Sequence, residues 1–98
     1  MKEIGSIIIF RILTKTDKLT MNKFCRQFYG YLDRSHKGKY QYHRDGFLDD
    51  FPHIKPLRGV LVVRKKDAKK IISYLETYNA DIYARDIILR KEDIEKLM

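Results

Sequence analysis

The sequence predicts a small α+β sandwich: a four-stranded antiparallel sheet with two helices on one face, in the order β-α-β-β-α-β, followed by a short C-terminal helix. Three observations predict it. Two stretches, "IGSIIIFRIL" and "RGVLVVR", are rich in β-branched residues and apolar on both parities, as strands buried on both faces are. Two other stretches repeat apolar residues at steps of three and four, the period of a helix packed along one side. The chain has 98 residues, 44% of them hydrophobic, which suffices for a core and points to a single domain over residues 1–98.

Residues 4–13 make the first strand, with Ile8, Phe10 and Ile12 alternating against Ile7, Ile9 and Leu13. Thr14 to Lys18 is a polar turn, and Thr20 is placed to cap the helix that follows. Met21, Phe24, Cys25, Phe28 and Leu32 form its apolar stripe, while Lys23, Arg26, Gln27 and Arg34 fall on or near the other side. After Gly38, "KYQYHR" alternates as a second strand, Tyr40 and Tyr42 on one face and Lys39, Gln41 and His43 on the other. Asp45-Gly46 marks a turn, and "FLDDFPHIKP" reads as a long connection bounded by prolines. Residues 58–64 are the third strand. Asp67 is a first-turn acid that favours a helix start; Ala68, Ile71, Ile72 and Leu75 form the buried stripe, and Asn79 suits a left-handed stop. Residues 81–89 make the last strand, and "KEDIEKLM" the terminal helix.

This order is that of the ferredoxin-like fold, whose first and third strands are central, and here those two strands are the most apolar. Helices cover one face only, so the second apolar face needs a cover. A homodimer burying sheet against sheet is the expectation; the 45–56 connection folding back is the alternative.

Charge narrows the partners. The net charge is +8, and residues 15–44, with eight bases and two acids, carry six of those eight charges. So concentrated a basic block implies an anionic partner, and nucleic acid is the leading one. Lys23, Arg26, Arg34, Lys37, Lys39 and Arg44 are the expected phosphate contacts; Tyr40, Tyr42 and His43 are the expected base contacts. A nuclease is the second reading, because "HRDGFLDDFPH" gathers His43, Asp45, Asp49, Asp50 and His53, groups that serve as general bases or hold a metal. Its catalytic candidates are His43, Asp45, Asp50 and His53. A protein-interaction module binding an acidic partner is the third.

Other classes are disfavoured. No spacing matches a known metal motif, and the five glycines are scattered singly rather than gathered in a phosphate loop, so no cofactor is expected. The longest uncharged run is far short of the about 20 residues that span a bilayer, and Arg11 interrupts it without a cleavage site after it. One cysteine, Cys25, cannot form an internal disulfide; with no secretion signal, the expected location is the cytoplasm. Abundant Lys and Ile with two Asn, two Gln and no Trp resembles thermophile composition.

Three family resemblances follow from these residues. The element order is similar to that of the RNA-recognition motif, but "RGVLVVR" lacks that family's aromatic signature, so its base-stacking mode does not carry over. Size and order resemble small ferredoxin-like dimeric nucleases, which place an acid at the end of the first strand; here "FRILTKTDK" has its first acid, Asp17, in the following loop. "FYGYLD" (28–33) resembles the LAGLIDADG helix of homing endonucleases, which implies a helix through Gly30 with Asp33 as a metal-holding acid. It departs from that pattern after Asp33.

Overall fold

The computed structural model describes residues 3–12, 17–35 and 40–98, apart from the side chains of Ser35 and Tyr40. It is α+β, with a four-stranded antiparallel sheet, a separate two-stranded ribbon and three helices. The chain divides into two compact units, Met1–Lys15 with Phe51–Met98, and Thr16–Asp50. No helix among the described residues is long and apolar enough to cross a membrane.

The first unit holds the sheet. Strands β1 (Ile4–Arg11), β5 (Val60–Arg64) and β6 (Asp81–Ile88) form where the sequence predicts them, and the sheet runs β4-β5-β1-β6 with all pairs antiparallel. The two most apolar strands, β1 and β5, are therefore central. The fourth place belongs to β4 (His53–Leu57), which the sequence pattern presents as connection. Its position explains the prolines: an outer strand has one row of N–H groups without ladder partners, so Pro56 is tolerated, and the pairing with β5 shifts register between Ile54 and Leu57.

Helix α2 (Lys65–Glu76) packs on β1, β5 and β6 and buries Ala68, Ile71 and Leu75 of its predicted stripe, whereas Ile72 is only half-buried. Residues opposite each other in an antiparallel ladder share a face, so Leu61, Ile8 and Ala84 form one row under the helix, beside Val63, Ser6 and Asp86. A groove of about 520 Å³ between helix and sheet is lined by Ser6, Ala84 and Asp86 on one side and Ala68, Ile72 and Ser73 on the other. Ser6 donates its hydroxyl to Asp86 at 3.3 Å, and Lys65 reaches the other oxygen at 3.1 Å. Asp67, in the first turn, is buried and accepts from Arg64 Nε at 2.7 Å. Asn79 takes φ 55° after the helix, the left-handed stop its sequence suggests. Helix α3 (Lys91–Leu97) packs against β4 and buries Leu97.

Tyr74 and Tyr78, at the end of α2 and in the turn after it, hold their ring centroids 5.6 Å apart. Burial, then the hydrogen bond and charge of Tyr78, push the Tyr74 phenol up to about 12. A folded value above the unfolded value near 10 means that its contribution to stability is complete below about pH 10 and is lost as pH rises toward 12. Phenolate absorbance is expected to show a tyrosine titrating near 12 that disappears in Tyr74→Phe and moves only part of the way back in Tyr78→Phe, because burial is the larger cause; absence of any so late a titration would refute the shift.

The face away from α2 is apolar and partly open: Val62 is buried on it, while a neighbouring row is exposed. Its main row crosses all four strands, Leu57 opposite Val60, Val60 opposite Ile9, and Ile9 opposite Tyr83. Ile9 is 42% exposed, Tyr83 54% and Leu57 70%. Arg85 lies over the Tyr83 ring at 4.1 Å, and Arg11 pairs with Asp81 at 3.0 Å along the upper rim.

The second unit comprises helix α1 (Lys18–Tyr29), strands β2 (Tyr31–Ser35) and β3 (Tyr40–Arg44), and a 3-10 turn at Phe47–Asp50. Four sequence expectations change here. Asp17, not Thr20, caps α1, accepting from the Thr20 N–H at 2.7 Å; that backbone hydrogen bond and then the Thr20 hydroxyl hold its carboxyl below the usual range. The helix stops at Tyr29, because Gly30 adopts φ 83°, open to glycine at little cost. Leu32 thus leaves the apolar stripe and is 49% exposed on a strand, and the LAGLIDADG-like helix through Gly30 does not form. Finally, residues 40–44 pair with 31–35 and not with the main sheet. The core of this unit is aromatic: Phe28 stacks on Phe24 at 5.2 Å and on Phe47 at 6.2 Å, with Leu48 buried beside them in sequence.

Candidate nucleic-acid interface

The ribbon pairs Tyr31 with Arg44, Leu32 with His43, Asp33 with Tyr42, Arg34 with Gln41, and Ser35 with Tyr40. Directly opposed residues share a face, so Leu32, Arg34, Gln41 and His43 form one side; Tyr31, Asp33, Tyr42 and Arg44 belong to the other. Leu32, Arg34, Gln41, Tyr42, His43 and Arg44 are all exposed. A ribbon wet on both faces contributes little hydrophobic burial, so two strands alone are marginal. This one is held at its root, where Gly46 is buried against Gly30 and Phe28 and the Gly46 N–H donates to Asp49 Oδ2 at 2.7 Å.

The sequence-predicted contacts are divided by this arrangement. Lys23 and Arg26 are exposed on α1, and the Arg26 guanidinium lies 4.0 Å from the Tyr31 ring centroid. Arg34 is on β2, not on the helix, and has no ion-pair partner among the described residues. Arg44 is engaged: its Nε and a terminal guanidinium nitrogen both lie 3.1 Å from Asp33 Oδ2. That pair is largely exposed, so it is worth about 0–1 kcal/mol. Tyr42 is 52% exposed and not a core residue. Lys37 and Lys39 lie outside the described residues, as does the Tyr40 side chain.

The catalytic candidates are shared between the two units. His43 Nε2 lies 3.2 Å from Asp45 Oδ1 and 3.5 Å from Asp49 Oδ2. Asp50, the acid that the sequence pattern favours, is exposed in the same turn but outside this cluster. His53 belongs to β4 in the other unit, where its Nδ1 lies 2.9 Å from the Phe51 carbonyl oxygen.

Sequence reasoning missed Asp33 as the partner of Arg44, because the β2 residues carry a helical period. Asp49 is gathered with the other acids of its loop by the sequence but is not among the catalytic candidates. A signal for Asp49 exists in the spacing: an acid three residues after the residue preceding a helical turn folds back onto that residue's N–H, and Gly46-x-x-Asp49 fits. Arg90-x-x-Asp93 does the same at the start of α3, at 3.0 Å. No family model matches this chain, nor does any curated protein or solved structure.

Proposed function

We propose that this protein binds nucleic acid, with the β2–β3 ribbon as the reading element and duplex DNA as the target. The observation that carries this is the exposure of both ribbon faces together with their side chains. A two-stranded ribbon has the width that the major groove of B-form DNA admits, whereas the deep, narrow major groove of A-form RNA does not. Arg34 and Gln41, opposed on one face, are the side-chain types that make bidentate contacts to guanine and adenine. Lys23 and Arg26 on α1, with Lys37 and Lys39 between the strands in the sequence, are assigned to phosphates. Arg44 joins them by exchanging Asp33 for a phosphate oxygen, and Tyr42 and His43 are assigned to the base edges. No cofactor enters this reading, and a cytoplasmic setting belongs to it.

The test is a salt titration against labelled duplex DNA, single-stranded DNA and single-stranded RNA. Duplex retention is expected, with a salt slope that falls by about 0.9 for each phosphate that Lys23→Ala or Arg26→Ala leaves unneutralised. Arg34→Ala should lose sequence discrimination as well as affinity. Wild-type binding by Arg34→Ala would remove the ribbon from the interface; preference for a single strand would replace groove insertion with stacking on Tyr42; no retention on any of the three would leave an acidic protein as the partner.

We further infer that the sheet unit follows the ferredoxin-like plan, with β4 standing where the sequence pattern puts residues 40–44, and that its open face receives a second copy of the chain. The apolar row Leu57, Val60, Ile9 and Tyr83 supports this. So does the rim, where Arg11 and Arg85 accompany Asp81, so that a self-complementary contact brings both signs together.

A further inference from the structure

We propose that His43, Asp45 and Asp49 form a binding site for one divalent transition-metal ion, zinc by preference. This does not depend on nucleic-acid binding. The three donor atoms, His43 Nε2 and one carboxylate oxygen from each aspartate, all lie within 4.8 Å of one another. The two separations involving the imidazole are 3.2 and 3.5 Å. Tetrahedral zinc, with bonds of about 2.0–2.1 Å, places its ligands about 3.3 Å apart, so the two separations from the imidazole match those of a coordination shell.

The local fold explains why these groups converge. His43 is the penultimate residue of β3, on the face opposite that of Arg44, and Asp45 follows directly after the strand. The chain then turns at Gly46, whose close approach to Gly30 and Phe28 fixes the turn, and the 3-10 turn swings Asp49 back. The Asp49 oxygen that faces His43 is the one that accepts from the Gly46 N–H, at 2.7 Å. That hydrogen bond orients the carboxylate much as outer-shell partners orient metal ligands.

Chemistry selects the ion. An imidazole donor suits zinc, cobalt, nickel or copper, whereas magnesium and calcium prefer an all-oxygen shell. Neutral His43 with two carboxylates carries two negative charges that a divalent cation balances. Three protein ligands leave the fourth position to water, and the exposure of His43 and Asp45 leaves that side open to solvent.

The competing account is an ion pair, in which protonated His43 simply joins two acids. Calorimetric titration of the full chain with zinc chloride distinguishes them. One equivalent is expected to bind, with binding lost in His43→Gln and Asp49→Asn and kept in His53→Gln. Asp45→Asn guards against misfolding, since that side chain is exposed and takes no part in the turn; it is expected to weaken zinc at least tenfold while melting like the wild type. Cobalt(II) should give visible absorption bands that zinc abolishes. Absence of zinc binding to the wild type, or binding that survives in both His43→Gln and Asp45→Asn, would overturn the site and leave the ion pair.

Discussion

Gly46→Ala is expected to unfold the Thr16–Asp50 unit. A methyl group at Gly46 would run into the Gly30 nitrogen, and would lie 2.5 Å from the Phe28 carbonyl oxygen and 2.6 Å from the Tyr29 carbonyl carbon. All three obstacles are backbone, so no rotamer change relieves them. Overpacking a tight site costs about 1–3 kcal/mol and sometimes more; here the helix end, the ribbon root and the Asp49 turn must all shift, so a loss of about 3 kcal/mol or more is expected. Gly30→Ala meets the same fate by two routes, because its φ of 83° disfavours a side chain and its added carbon would lie 2.5 Å from the Arg44 carbonyl oxygen. Amide exchange followed by NMR is the suitable measurement. Collapse of protection in β2 and β3 is the expected result, and wild-type protection in Gly46→Ala would show that the root is not packed as described.

Ile9→Lys is expected to convert the proposed dimer into a monomer without unfolding the chain. Ile9 is central in the row that crosses the sheet, with Val60 and Tyr83 as its neighbours. At 42% exposure a lysine there can reach water in the isolated chain, so stability should change little. In a sheet-on-sheet contact the same ammonium is buried without a partner, which association does not tolerate. Sedimentation of both proteins at micromolar concentration decides the matter. A monomeric wild type, or a dimer that persists in Ile9→Lys, removes the open face from consideration.

Much of the sheet unit was legible because its strands and α2 obey simple periods. β1 and β5 are continuous apolar runs; α2 repeats Ala68, Ile71 and Leu75; Asn79 is one of the few residue types that enter the left-handed region. β4 was illegible, since Pro52 before it and Lys55 and Pro56 within it resemble a connection until an outer position in the sheet excuses Pro56. In the other unit the difficulty was ambiguity of period. Leu32 stands four residues after Phe28, as a helical stripe requires, yet it also alternates with Tyr31 and Asp33 as a strand requires. Gly30 decided between the two, and it carries no signal of which way it will decide. Asp17 and Thr20 are likewise both good caps, and the helix starts after Asp17, which accepts from the Thr20 N–H.

The candidate site was legible only as far as its strand. Alternation along "KYQYHR" correctly separates Tyr42 from His43, because one strand suffices to fix its own parity. What crosses the ribbon was not legible: the Arg44–Asp33 pair depends on a register that exists only once β2 exists. The acids next to His43 were visible as composition, but the choice between Asp49 and Asp50 required the geometry of one turn.

The division of the chain also bears on how it reaches its native state. β2 meets β3 through neighbours in sequence, whereas β1 waits for β5 across roughly fifty residues and for β6 across roughly seventy-five, and the entropy of closing such loops must be overcome before those contacts form. The ribbon therefore has the means to assemble early, and arrival of the C-terminal half at β1 is the slow event. On a ribosome the Thr16–Asp50 segment emerges while β1 still lacks both of its partners, so a nascent chain holds an unpaired, strongly apolar strand until β5 and then β6 follow, the interval in which a chaperone has most to protect.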